Sequence, residues 1–428
     1  MNKERYTVYR IPLSVKQEDQ YTSYGLQDTN SGRQLIKLGL ERVSACLNYL
    51  GNPQNKFKSI LIGGTNGKGS TTFYLSNLAC KFTNYRIGRY ISPHLISWDE
   101  RFVINEKPVS SLNRISKEVR KLIKEFENKN KELDKLTEFE IYTITAFYLF
   151  AKENVDIAFL EVGLGGRLDA TNIVDSKNIL CSIITNVSMD HMDYLGYSVE
   201  NIAYEKAGII KNNNFIITGA SGIALKVIEE QARELKSTLI LIDNKNNGSY
   251  IDKDIEIALK AWDIISNQTE TTFRELNKKE FLQSLQFPGR FQFIESKKIL
   301  LDGAHNPDAA IELKRLIEKK FKTKKLIYII GMLDKDYKTF IRNLIPNNSY
   351  VICTEPKSER ATKKETIAQF LYENGSTTDI SINLRQAITK AKSKEHDVII
   401  ITGSLYLVGE ALQLINDNQS PKINIKTK

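Results

Sequence analysis

The chain has 428 residues, 41% hydrophobic and 26% charged, which exceeds one ordinary core and predicts two domains of a globular protein. No run approaches the length of a membrane-spanning helix, and residues 1–15 lack the apolar core of a secretion signal, so a cytoplasmic protein with no membrane partner is expected. The net charge of +10 comes from lysines spread along the chain, with no basic run interleaved with aromatics, so it suits small anionic ligands and excludes an evident nucleic-acid footprint.

Residues 1–35 read as polar and irregular. Residues 34–50 have helical periodicity through Leu35, Leu38, Leu40, Val43, Leu47 and Leu50, stopped by Gly51-Asn52-Pro53. Residues 57–62 form a short apolar strand. The loop Gly63-Gly64-Thr65-Asn66-Gly67-Lys68-Gly69-Ser70 follows, and a helix then carries Phe73, Leu75 and Leu78. Strand, glycine-rich loop and helix make a phosphate-binding layout. Glycines let main-chain amides approach an anion, the helix N-terminus adds positive charge, and Lys68 and Ser70 supply a cation and a hydroxyl. The spacing departs from G-x-x-x-x-G-K-[ST], because Ile62 stands at the first glycine and Gly69 follows the lysine.

Residues 86–91 form a second strand, ended by Ser92-Pro93-His94. A charged amphipathic helix is predicted over 115–135, on a face of Ile115, Val119, Leu122, Ile123 and Phe126. Thr137 and Glu140 have capping-box spacing before an apolar helix over 141–150. Residues 156–162 are an apolar strand containing Glu161, and a buried carboxylate there needs a partner or a cation. Strands at 180–184, 215–218 and 239–242 alternate with helices at 202–210, 224–235 and 255–265. The stretch Phe287-Pro288-Gly289-Arg290-Phe291 breaks the pattern. Beyond it come strands at 299–301, 326–330, 349–353 and 398–401, with a helix at 309–318.

This alternation predicts an α/β fold: a mostly parallel phosphate-loop domain over 1–286, a linker at 287–298, and a smaller open α/β domain over 299–428. Cys46, Cys80, Cys181 and Cys353 lack metal spacing and read as buried free thiols.

His94, His191 and His305 lie in loops after predicted strands, where doubly wound sheets place ligands; His396 lies in a charged run. A phosphate loop with Ser92, Glu161 and His191 nearby would make a hard-cation site for Mg²⁺. Residue chemistry alone leaves three classes open: an NTPase, a kinase, and a ligase that activates a carboxylate.

The segments Leu38-Gly39-Leu40-Glu41-Arg42, Gly64-Thr65-Asn66-Gly67-Lys68-Gly69-Ser70, Ser92-Pro93-His94-Leu95, Thr137-Glu138-Phe139-Glu140 and Glu161-Val162-Gly163-Leu164-Gly165-Gly166-Arg167 stand in this order. Asp169-Ala170-Thr171-Asn172, Asp190-His191, Glu205-Lys206-Ala207-Gly208, Pro288-Gly289-Arg290-Phe291 and Asp302-Gly303-Ala304-His305-Asn306-Pro307 follow. In these the chain resembles folylpolyglutamate synthase and dihydrofolate synthase, of the Mur-ligase-like ATP-dependent amide ligases, over nearly its whole length. The phosphate-loop spacing is similar to that family's own variant.

The resemblance implies a ligase that joins L-glutamate to dihydropteroate or a reduced folate at the cost of ATP, acting as a monomer. It implies that Lys68 and the loop amides from Asn66 through Gly67 and Gly69 to Ser70 hold ATP, with Arg290 and Asp302. Two Mg²⁺ are implied: one at Ser70 and Glu161, one at Ser92, Glu161 and His191. Lys206 matches a carbamylated lysine, and Lys68, Lys206 and His305 are the implied catalytic residues. Thr137, Glu138 and Phe139 match the folate side and Ser404 the glutamate side. In a departure, Asp254 stands where the family usually has an asparagine for adenine.

Overall fold

The computed structural model describes residues 37–242, 248–269 and 277–417. Residues 1–35, read above as irregular, and Leu35 of the first helical face lie outside them. The chain forms two compact units. Among the described residues, one comprises residues 37–94 together with Trp98–Leu285; the other comprises Leu95–Ser97 together with residues 286–417.

The larger unit runs α1 (Glu41–Tyr49), β1 (Lys58–Gly63), α2 (Lys68–Phe82), β2 (Ile87–Tyr90), β3 (Phe102–Ile104) and β4 (Lys107–Pro108). Then come α3 (Leu112–Lys129), α4 (Glu138–Lys152), β5 (Ile157–Glu161), β6 (Ile179–Ile184), α5 (Met192–Leu195) and α6 (Val199–Ala207). It closes with β7 (Phe215–Thr218), α7 (Gly222–Glu234), β8 (Thr238–Leu241), α8 (Tyr250–Gln268) and α9 (Lys278–Gln283). Its sheet has the order β4-β3-β2-β5-β1-β6-β7-β8. Only β3 and β4 are antiparallel to their neighbours. The central strand β1 is flanked by parallel β5 and β6, and Ile60, Leu61 and Ile62 are fully buried. A strand covered on both faces needs a continuous apolar run, which is what the sequence carries.

Register decides what meets at the sheet's C-terminal edge. Ile62 pairs with Glu161, Gly63 with Ile184, and Tyr90 with Leu160. The phosphate loop, Glu161, Ser92 and Thr185–Asn186 therefore leave four adjacent strands at one level.

The smaller unit contains β9 (Gln292–Ile294), β10 (Ile299–Leu301), α10 (Pro307–Lys320), β11 (Leu326–Ile330), α11 (Tyr337–Leu344) and β12 (Tyr350–Cys353). It ends with α12 (Lys364–Glu373), β13 (Thr377–Ile380), α13 (Leu384–Lys392), β14 (Val398–Thr402) and α14 (Leu405–Asp417). Its sheet order is β13-β12-β11-β14-β10-β9, parallel except for β9.

The structure corrects several bounds. The charged helix ends at Lys129, short of 135, because the Asn130 side chain turns back to donate to the Phe126 carbonyl. Its expected face is buried at Ile115, Val119, Ile123 and Phe126. The capping box forms in full: Glu140 N donates to Thr137 Oγ1 and Thr137 N to Glu140 Oε2. Strands β3, β4, β9 and β13 do not stand out in the sequence, being two to four residues long, at or next to a sheet edge, and without a distinct period-2 pattern. All four cysteines are free thiols; Cys46, Cys181 and Cys353 are buried, which pushes each up to about 12, whereas Cys80, expected to be buried, is only partly so.

Candidate active site

The phosphate loop is shaped from outside itself. Gly64 has φ +139°, and a Cβ there would lie 1.9 Å from Thr185 Oγ1, so only glycine fits. Thr185 Oγ1 donates to the Asn66 carbonyl at 2.6 Å. Asn186 Oδ1 accepts from the amides of Thr65 at 3.2 Å and Asn66 at 2.8 Å. Thr65 Oγ1 accepts from Ser188 N and donates to Ser188 O. The residues after β6 thus clamp the loop through protein contacts alone. The Asn66 amide, expected among the phosphate donors, is engaged by Asn186. Gly67 caps α2 with φ +82°, and the amides of the first turn point out of the N-terminus of a 15-residue helix. Lys68 opens that helix and its Nζ donates to Thr65 O at 3.2 Å. Asp254 of α8 is buried against the loop, where a Cβ on Gly67 would lie 2.3 Å from its Oδ1.

Glu161 ends β5 and is only 5% exposed. Its Oε2 accepts from the Ser92 amide at 2.9 Å, which joins two of the four expected metal residues. The Ser92–Pro93 peptide is cis. Behind it His94 Nδ1 accepts from Arg101 Nε at 2.9 Å, and burial, with the Arg101 charge, draws the imidazole down to about 3. Arg101 is fully buried with its guanidinium over the Tyr142 ring. Ser70 lies in the first turn of α2, and His191 precedes α5 at φ +51° with its side chain 39% exposed.

Among the described residues no three His, Cys, Asp or Glu side chains gather as a metal group. The expected donors are instead two hydroxyls, one buried carboxylate and one imidazole. The three oxygen donors suit Mg²⁺, which takes few protein oxygens and completes its shell with phosphate and water, whereas the imidazole is an unusual ligand for it.

Lys206 of α6 is buried, and its Nζ donates to the Gly64 carbonyl at 2.9 Å. Burial first, then the Lys68 charge, lowers its amine to about 7, while Asp190 and Asp169 pull the other way. Asp169 is buried, with its carboxyl raised by burial, and accepts from Leu164 N, Thr171 N and Thr171 Oγ1. It organises the 163–172 loop, a role the spacing alone did not assign.

Thr137, Glu138 and Phe139 open α4. Thr137 is the buried cap, and Glu138 pairs with Arg120 at 3.1 Å. Phe139 lies over Gly163, where a Cβ would meet its Cζ at 2.4 Å. Glu140 is held by Arg42 in a buried ion pair at 2.7 Å.

In the smaller unit, Asp302 follows β10. Its oxygens accept from Phe291 N at 2.7 Å and Ala304 N at 2.8 Å. The Arg290 guanidinium lies over Gly303, and His305 Nδ1 is 2.8 Å from Gly303 O. Arg290, Asp302 and His305 are therefore gathered at one strand end. Ser404 follows the adjacent β14, buried, with Oγ accepting from Leu407 N as the cap of α14.

The Mur ligase middle-domain family model matches residues 62–294, which sets the class, and the dihydrofolate synthetase C-terminal domain model matches 290–414. The chain is 32% identical to the Saccharomyces cerevisiae dihydrofolate synthetase, over 90% of this chain and 99% of that one. It is 30% identical to the Escherichia coli dihydrofolate synthase/folylpolyglutamate synthase, over 96% and 99%. The structure of E. coli FolC in complex with DHPP and ADP superposes with a TM-score of 0.77 at 28% identity, covering 90% of this chain and 95% of that one. The chain belongs to the dihydrofolate synthase/folylpolyglutamate synthase family.

Proposed function

We propose that the protein is an ATP-dependent carboxylate–amine ligase that adds L-glutamate to dihydropteroate, to reduced folates, or to both. The observation that carries this is the meeting of a clamped phosphate loop with the Glu161–Ser92 pair and buried Lys206 at one sheet edge, in a chain spanning 99% of relatives named for that activity.

The folate carboxylate attacks the γ-phosphorus of ATP, the bond to ADP breaks, and an acyl phosphate results. The glutamate amine then adds to that carbonyl carbon, loses a proton, and expels phosphate to leave an amide. Lys68 and the first-turn amides of α2 hold the phosphates and offset the charge that develops during transfer. Two Mg²⁺, one held by Ser70 and Glu161 and one by Ser92, Glu161 and His191, would supply further charge neutralisation on the phosphoryl oxygens. Thr137, Glu138 and Phe139 are assigned to the folate. On the smaller unit Arg290 and Asp302 are assigned to the nucleotide, His305 to the transfer chemistry and Ser404 to glutamate.

Lys206 is assigned as a carbamylation site. Its neutral amine adds to carbon dioxide and releases a proton, which leaves an anion where the protonated amine would carry a positive charge. An amine lowered to about 7 supports this, because much of it is unprotonated at neutral pH.

The test is ADP release by the purified protein. Release that requires both glutamate and dihydropteroate supports the synthase reading; release only with a reduced folate and glutamate restricts it to polyglutamylation. ATP hydrolysis indifferent to both substrates would return the protein to the NTPase class.

A further inference from the structure

The smaller unit has a depression of about 110 Å³ at the N-terminal edge of its sheet. Ile299 opens β10 there, whereas Asp302 and His305 follow that strand's other end. The depression is therefore separate from the Arg290–Asp302–His305 group. Its floor is aliphatic: Ile299, Ile388, Leu414 and Ile415, from β10, α13 and α14. Its rim carries Lys297, Arg385 and Lys392, with Thr389 between the last two.

The charge at this edge is unevenly balanced. Lys324 pairs with Asp397 at 3.8 Å, Lys325 with Glu395 at 2.8 Å, and Lys390 with Asp379 at 3.2 Å. Among the described side chains, no carboxylate lies within ion-pair distance of the three cations that line the depression. Helical spacing sets Arg385, Ile388, Thr389 and Lys392 on one face of α13, so that one turn presents apolar surface between two charges. The volume is that of a molecule with a handful of heavy atoms.

We propose that this depression binds a small amphipathic anion, with a carboxylate or phosphate head on the Lys297–Arg385–Lys392 rim and a short apolar body on the isoleucine–leucine floor. The cations of Lys297, Arg385 and Lys392 favour a charged head over a neutral one, and a bare inorganic anion would leave the aliphatic floor wet, so both parts are needed.

The experiment uses hexanoate as probe on the full chain with saturating ADP, read by isothermal titration and ligand-observed NMR. Hexanoate binds saturably, hexan-1-ol binds at least tenfold more weakly, and Arg385→Glu with Lys392→Glu weakens hexanoate at least tenfold at an unchanged melting temperature. Absence of hexanoate binding, equal binding of hexanol, or undiminished binding by the double variant overturns the proposal. Because wild-type protein alone answers the first two, a variant that fails to fold does not protect it.

Discussion

Lys206 Nζ rests on the Gly64 carbonyl at 2.9 Å, so a buried amine of α6 braces the phosphate loop where it leaves β1. Water is excluded there and Lys68 is close in charge, which together lower the amine to about 7. In buffer free of carbon dioxide the folded protein gives up this proton near 7, and the unfolded chain near the ordinary 10.5. Between those values the unfolded chain binds more protons, so stability rises with pH; below them both states are charged and the burial cost is present in full. Lys206→Met therefore gains most in melting temperature over the parent near about pH 6, and less by about pH 9. Thermal unfolding across that range checks it, and a constant difference contradicts it.

The same residue has a functional test. Lys206→Ala loses ligase turnover by about two orders of magnitude or more, the scale at which a charge aimed at a transferring group contributes. Short carboxylates restore part of the rate if a carbamate is what is missing. Undiminished turnover by steady-state ADP release refutes the assignment.

The phosphate loop tolerates no side chain at Gly64, for two reasons that add. Its φ of +139° is strained for any L-residue, and the new Cβ would fall 1.9 Å from Thr185 Oγ1. Gly64→Ala is expected to weaken ADP affinity at least tenfold. Asn186→Ala leaves the glycine intact but removes the acceptor shared by the Thr65 and Asn66 amides, so it weakens ADP less, with a stability loss of about 1–3 kcal/mol. Titration of ADP into the two variants ranks them, and a reversed order contradicts the clamp.

What could be read in the sequence follows the range of the interaction. The Ile60-Leu61-Ile62 run and the glycines after it announce a buried strand and a phosphate loop, because both signals are local. The Thr137–Glu140 capping box is equally local and forms as read. The clamp of Thr185 and Asn186 joins residues about 120 positions apart, and no periodicity encodes it. The role of Lys206 came from the resemblance, since its burial depends on where α6 packs. Strand β13, Thr-Thr-Asp-Ile on a sheet edge, is half polar and gave no signal against its surroundings.

The Arg42–Glu140 pair is buried on both sides, at 7% and 4% side-chain exposure. Removing one partner leaves a buried charge and costs about 3–5 kcal/mol, whereas removing both leaves none. Arg42→Met is thus more destabilising in urea unfolding than Arg42→Met with Glu140→Gln. Glutamine can still accept from the Thr137 amide, so the cap survives in the double variant. Additive losses would show that the pair itself matters little.

Gly409 separates two effects of opposite sign. It lies inside α14, where alanine ordinarily gains about 1 kcal/mol over glycine. Here a Cβ would fall 1.9 Å from the Leu95 carbonyl oxygen, and Leu95 and Ile96 pack on the core of the smaller unit. A backbone oxygen cannot swing aside as a side chain would, so the overlap outweighs the helical gain. Gly409→Ala is expected to lower the melting temperature, and to raise hydrogen exchange at Leu95–Ser97 above that elsewhere. A variant as stable as the parent, with unaltered exchange in that segment, would mean that Leu95–Ser97 is not seated against α14.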